Sequence, residues 1–294
     1  MIKFSIADYY GHSHFIIMFL DMQEQFPHYF YEDRKIDSAY GMPSGLIWNG
    51  GRAFLKQTMT QEEAYNIFDN YQKYKDFHLR HTCTNCLLTE QMYADHNCNT
   101  WIGYCQKPGD GIIVNDDKLM QYLQQKYPHY NYIISTTKQI KDIDTYNQYS
   151  KNYLTVLDYN FNHNEQFLSQ LKYPQNIEIL CAEPCIDNCP NRTEHYKLIS
   201  AAQLNIPHTP YFSCPNVHDE EYCVSAFYEK HLKYKHAITT EYVDYLYKTY
   251  GFNNFKISGR VSNPINYVEA IIYYLIKPEY QNIVRNAVLS MTFF

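Results

Sequence analysis

The residues best suited to chemistry lie in one short segment, 177–196, which reads IEILCAEPCIDNCPNRTEHY. Its cysteines follow as Cys181-x3-Cys185-x3-Cys189. If the chain coils after Cys181, that spacing sets the thiols one helical turn apart, where they could converge on a metal; Cys185 and Cys189 are the strongest candidates, with Cys181 or Cys214 and Cys223 completing a set. Thiolate ligands select zinc or an iron–sulfur cluster. Glu183 follows the apolar run, and Arg192, Glu194 and His195 come close behind it. A histidine beside an acid suits proton transfer, and Arg192 could clamp a carboxylate or phosphate. Glu183, Arg192 and His195 are therefore the catalytic candidates, and Cys181, Cys185, Cys189 and Cys214 the metal candidates. The plainer alternative stays open. Free cysteine is among the most buried residue types, and an Arg-x-Glu-His run also suits the first turn of a helix.

Other constellations carry less. Cys83-x2-Cys86, with Cys98, Cys105, Asp95 and His96 further on, lacks the Pro or Gly of a thioredoxin motif and reads more simply as structural thiols. Asn49-Gly50-Gly51-Arg52 would let backbone approach a ligand closely. It matches neither the P-loop nor G-x-G-x-x-G, so no nucleotide cofactor is indicated. His12-Ser13-His14 has no third ligand nearby and reads as polarity at a helix start or surface. Neither G-x-S-x-G nor H-E-x-x-H occurs, which removes the serine-hydrolase elbow and the zincin.

What must position these residues is an alternation of short apolar, β-rich runs (2–7, 46–48, 77–79, 112–115, 132–135, 153–158, 177–181 and 255–258) with segments at three- and four-residue spacing (61–74, 117–127, 165–171, 194–204 and 267–276). Parallel strands with helical crossovers follow, and eight strands suit a (βα)8 TIM-like barrel, with a doubly wound sheet as the alternative. The chain reads as one barrel domain over 1–294. Residues 183–254 are too many for one βα connection, so they predict a cysteine-containing insertion between the last two strands, with helices at 220–232 and 240–250. Asp8, Asn49, Arg52, Arg80, Thr82, Asn85, Asn115, Thr136, Asp158, Glu183 and Arg260 fall at or past predicted strand ends, where a barrel would gather them around one mouth. For Asn115, Thr136 and Asp158, helix capping is an equal explanation. Arg52, Asn85, Lys256 and Arg260 are the substrate-binding candidates.

The net charge of −6, with no run of Lys or Arg longer than two, disfavours bulk binding to nucleic acid or anionic lipid. The apolar run 15–20 is too short for a signal core or a membrane span, so a soluble cytoplasmic protein is expected. Nine cysteines without an export signal point to thiols or metal ligands, not to a complete disulfide framework. The 32 tyrosines belong with an AT-rich codon bias.

The segment Lys256-Ile257-Ser258-Gly259-Arg260, followed by Tyr267 and a helix, resembles the K-I-E-G-R signature of the collagenase-like peptidases, a family that includes iron–sulfur accessory proteins of ubiquinone hydroxylation. Cys185 to Tyr196 is similar to a divergent form of that family's cysteine region. Ser258 stands where the family has an acid, and Cys185 and Cys189 are closer together than its first cysteine pair. The resemblance implies a barrel and, for some members, a four-cysteine iron–sulfur cluster. It suggests hydrolysis or oxidation of an unidentified substrate at a cysteine-rich site holding a cluster or zinc. The alternative is a non-catalytic barrel acting as a binding or structural protein.

Overall fold

The computed structural model describes residues 1–50, 60–208, 225–258 and 263–290. Eight parallel strands close into a barrel in sequence order: β1 (Ile2–Ala7), β2 (Arg34–Gly41), β3 (His78–Cys83), β4 (Gly111–Val114), β5 (Asn131–Ile134), β6 (Leu154–Val156), β7 (Ile177–Leu180) and β8 (Asn254–Ile257). β8 returns to pair with β1 through Phe4 and Phe255, and a register shift in β1 between Phe4 and Ser5 leaves Asp37 of β2 unmatched. The helices are α1 (Tyr9–Gln25), α2 (Gln61–Tyr71), α3 (His96–Tyr104), α4 (Asp117–Lys126), α5 (Ile143–Ser150), the single turn α6 (Glu165–Leu168), α7 (Arg192–Gln203), the single turn α8 (Ala226–Glu229), α9 (Thr240–Tyr250), α10 (Pro264–Leu275) and α11 (Gln281–Ser290). This is the (βα)8 architecture expected.

One strand departs from expectation. The run at 46–48 forms turns that bury Trp48, whose Nε1 donates to the Met92 carbonyl at 2.9 Å. The true second strand is Arg34–Gly41, whose charged residues hide it from an apolar-run criterion. Strand β3 also runs past the predicted 77–79, so Arg80 lies in mid-strand and not at a carboxyl end. Residues 183–254 hold α7, α8 and α9, and Asn254 already opens β8. The predicted helix 220–232 lies partly outside the described residues.

Side chains alternate along each strand, so one set faces the helices and the other the barrel axis. The outward set is mostly apolar, with His81 of β3 as a buried exception, and packs under the helices. Phe4 meets Tyr274 of α10 at 5.9 Å between ring centroids, and Phe77, just before β3, meets Tyr71 of α2 at 6.0 Å. Buried Arg34, at the start of β2, ties the shell together: it donates to the Tyr274 carbonyl at 2.7 Å, where α10 ends, and pairs with Asp244 of α9 at 2.8 Å. Caps set several helix starts. Thr60 and Glu63 form a reciprocal capping box on α2, and Asp95, Asp116 and Asp142 cap α3, α4 and α5.

Candidate active site at the carboxyl-end mouth of the barrel

The inward set is unlike the branched aliphatic layers that usually fill such a barrel. Ser5, Ser38, Arg80, Thr82, Glu178, Lys256 and Ser258 are all buried. In a parallel barrel both strand faces are enclosed, so a charge in mid-strand must find its partner inside. Glu178 of β7, fully buried, accepts from Arg80 Nη1 of β3 through Oε1, and its Oε2 lies 3.6 Å from Lys256 Nζ of β8. Arg80 Nη2 is 3.8 Å from Asp37. The Lys256 ammonium stands 3.8 Å from the centroid of the Tyr40 ring, whose hydroxyl donates to the Ile257 carbonyl at 3.1 Å. A cation over an aromatic face, with a carboxylate on one side, is held in place while facing the mouth.

Above this layer opens a cavity of about 70 Å³, lined by Tyr40, Thr82, Ser135, Glu183, Tyr196, Lys256 and Ser258 among others. Glu183 follows β7 and is held through its backbone. Its carbonyl accepts from His236 Nε2 at 2.8 Å, while His236 Nδ1 meets the Asp187 carboxylate at 2.8 Å. Asn162 adds bonds from Nδ2 to the Leu180 and His236 carbonyls at 2.8 and 2.7 Å. The strand exit is thus stapled to the segment that precedes α9. Glu183 and Lys256 are the sequence-derived candidates that reach this cavity.

The others are placed elsewhere. Arg192 is buried in the frame of the site: it pairs with Asp158 at 2.9 Å, donates through Nε to the Tyr196 hydroxyl at 2.8 Å and through Nη2 to Thr136 Oγ1 at 3.0 Å, and stacks over Tyr159 at 4.3 Å. Burial works against the Asp158 carboxylate, but Arg192 and Lys141 outweigh it and hold its pKa below the ordinary value. Arg192 therefore positions Tyr196 and Thr136, two lining residues. Asn85 is consumed structurally, donating to the Ile47 and Ser200 carbonyls at 2.8 and 3.2 Å and accepting from Leu87 N at 2.9 Å. His195 sits partly exposed on the first turn of α7. Gly50 packs closely against backbone, since a Cβ there would stand 2.4 Å from Asn85 N. Gly51, Arg52, Cys214, Cys223 and Arg260 lie outside the described residues.

The cysteine expectation needs correction for the described ligands. Residues 181–190 do not form a helix, so Cys181, Cys185 and Cys189 are not stacked one turn apart. Among the described residues no three His, Cys, Asp or Glu side chains come together as a metal site. Cys181 is fully buried, its thiol donating to the Ile179 carbonyl at 3.9 Å, and burial pushes its pKa well up. The described thiols are therefore not the four-thiolate set that the resemblance implied. Cys83, Cys86, Cys98, Cys105, Cys181 and Cys185 carry free thiols.

Sequence reasoning missed Asp37, Tyr40, Glu178 and His236. The signal for Glu178 was present: a charge inside an apolar run, as in Ile177-Glu178-Ile179-Leu180, and the same holds for Lys256 between Phe255 and Ile257. His236 had no such mark.

Fold and site together define a parallel (βα)8 barrel with an ionised interior and a small polar mouth at the carboxyl ends of its strands. Among solved structures the chain is similar to the U32 peptidase Mk0906, with a TM-score of 0.55 and 14% identity over 89% of this chain and 94% of that one. No family model matches the chain, and no curated protein matches it.

Proposed function

We propose that this protein is a peptidase-like hydrolase that cleaves an amide bond in a small substrate at the carboxyl-end mouth. The observation that carries the reading is Lys256, buried in the barrel, aligned by Glu178 and Tyr40, and facing the same cavity as Glu183. Burying charges in a barrel core costs several kcal/mol per ion unless they are well paired, and groups held at such cost are concentrated at functional sites. The similarity in fold to a U32 peptidase enters as an analogy, which makes hydrolysis the first chemistry to test.

In this reading Glu183 is the general base. It takes a proton from water as the water oxygen attacks the scissile carbonyl, and it returns that proton to the leaving amine as the C–N bond breaks. The Lys256 ammonium stabilises the negative charge that develops on the carbonyl oxygen, in a cavity whose low dielectric strengthens the interaction. Tyr196, held by Arg192, and Ser258 supply further hydroxyl groups to orient the substrate. The small cavity favours one amino-acid side chain or terminus over an extended protein segment.

The test is incubation of the purified protein with a mixed di- and tripeptide library, read by mass spectrometry, beside Glu183→Gln and Lys256→Met. Cleavage by the wild type, with a loss of about 100-fold or more in each folded variant, supports the assignment. Cleavage that survives Glu183→Gln removes Glu183 as the base, and no cleavage by the wild type removes the hydrolase reading.

A further inference from the structure

A much wider cavity lies at the opposite end of the barrel. A space of about 740 Å³ opens at the amino ends of the strands, within the size range of small-molecule sites. Its floor is the ionic layer already described, seen from below. Arg80 and Asp37, 7% and 8% exposed, face into it, with Lys3 and His78 at its wall.

Two glycines shape this space. A Cβ on Gly111 would stand 2.9 Å from Ile133 Cδ1 and 3.4 Å from Arg80 Cγ, so the bare glycine lets the Arg80 stem lie across β4. Gly109, at φ +94°, gives way to the His78 imidazole, which a Cβ would meet at 2.3 Å. His78 Nδ1 is buried there without a hydrogen-bond partner, 3.9 Å from Asp110.

The charges are unbalanced. The lining carries one carboxylate, Asp37, against Lys3 and Arg80, and Asp37 also serves Lys35 at 3.1 Å. Glu178 offsets Arg80 from the barrel side, which leaves lysine charge at the rim of a chain whose net charge is −6. Amides complete the wall: Asn131, Asn176 and Asn254 spend their Nδ2 groups on the Gly109, Ser150 and Gln175 carbonyls at 3.0, 2.8 and 2.7 Å, and the side chains of Asn152 and Gln175 stand beside them to meet a hydroxylated or amide-bearing ligand.

We infer that the amino-end mouth is a second ligand site, for a small polar metabolite carrying an oxyanion, either a phosphate or a carboxylate. Lys3 engages the oxyanion at the rim, Arg80 presents its buried edge from below, and the amides take the remaining polar groups. The site is independent of the hydrolytic assignment, because it uses the other end of the barrel and involves no bond cleavage.

The test is isothermal titration of inorganic phosphate and, separately, citrate into the wild type, Lys3→Gln, Lys3→Arg and Lys118→Gln at low salt. Lys3 is 43% exposed at its side chain and Lys118 is 69% exposed, so these changes spare the fold. Saturable binding of either probe, weakened about tenfold by Lys3→Gln, restored by Lys3→Arg and unchanged by Lys118→Gln, is the expected result, and the stronger probe identifies the oxyanion. Absence of saturable binding, or equal weakening by Lys118→Gln, overturns the site.

Discussion

The two mouths of this barrel share one set of charges and use it differently. At the carboxyl end, Lys256 is aligned by Glu178 and Tyr40 beneath a cavity of about 70 Å³. At the amino end, Arg80 and Asp37 floor an open space of about 740 Å³ ringed by amides. A tight cavity over a fixed ammonium suits a reacting group, whereas a wide polar basin suits recognition of a whole small molecule. Between them, Glu178 is the hinge of the comparison: it accepts from Arg80 on the amino side and faces Lys256 on the carboxyl side.

Removing that hinge has the largest expected effect. Glu178→Leu leaves Arg80 and Lys256 buried without their shared counter-charge, and urea unfolding should show a loss of about 3–5 kcal/mol. A near-neutral result would mean that the interior charges are solvated from one mouth and are not coupled through Glu178.

The outer face of β3 supplies the contrasting case. His81, next to Arg80 but facing Trp101 and Tyr130, is fully buried, and burial lowers its pKa to about 4. Its stability contribution is complete above its ordinary pKa of about 6.5 and is lost as the pH falls through about 4. Asp110 has the opposite sign. Burial raises it to about 7, so its contribution is complete below about 3.8 and is lost as the pH rises through 7. The two oppose each other in the wild-type profile, so the comparison must be made between proteins. The stability difference between wild type and His81→Phe should shift by on the order of 3 kcal/mol against the wild type between pH 7 and pH 4.

A smaller effect sharpens the shape of the amino-end mouth. Gly111→Ala places a methyl group against Ile133 and the Arg80 stem, and should cost about 1–3 kcal/mol in the same unfolding assay. Smallest of all, Lys3→Gln at the rim should leave stability within about 0.5 kcal/mol, so that any loss of oxyanion binding reports on the site and not on the fold.

The barrel was legible because the outward faces of most strands are apolar runs, and apolar runs are what a sequence displays most openly. β2 was not, since Arg34, Lys35 and Asp37 break its pattern, and the nearby turn around Trp48 offered a more hydrophobic decoy. The same polarity makes β2 important, because Asp37 and Tyr40 serve the two mouths from one strand. Glu183 could be picked out from its position past a strand end, and Lys256 from the segment Lys256-Ile257-Ser258-Gly259-Arg260. Glu178 and Arg80 could not be paired, because their contact depends on barrel closure across residues far apart in sequence. The regular spacing of Cys181, Cys185 and Cys189 stacks the thiols only if the segment is helical, and residues 181–190 are not.

If the two mouths are separate sites, each loses its ligand only when its own anchor is removed. Titrating one small peptide ligand of the carboxyl-end cavity into wild type, Lys256→Met and Lys3→Gln tests it most directly. The prediction is a loss of affinity of about tenfold or more in Lys256→Met, with Lys3→Gln binding like the wild type. Equal loss in both variants, or loss in Lys3→Gln alone, would contradict it.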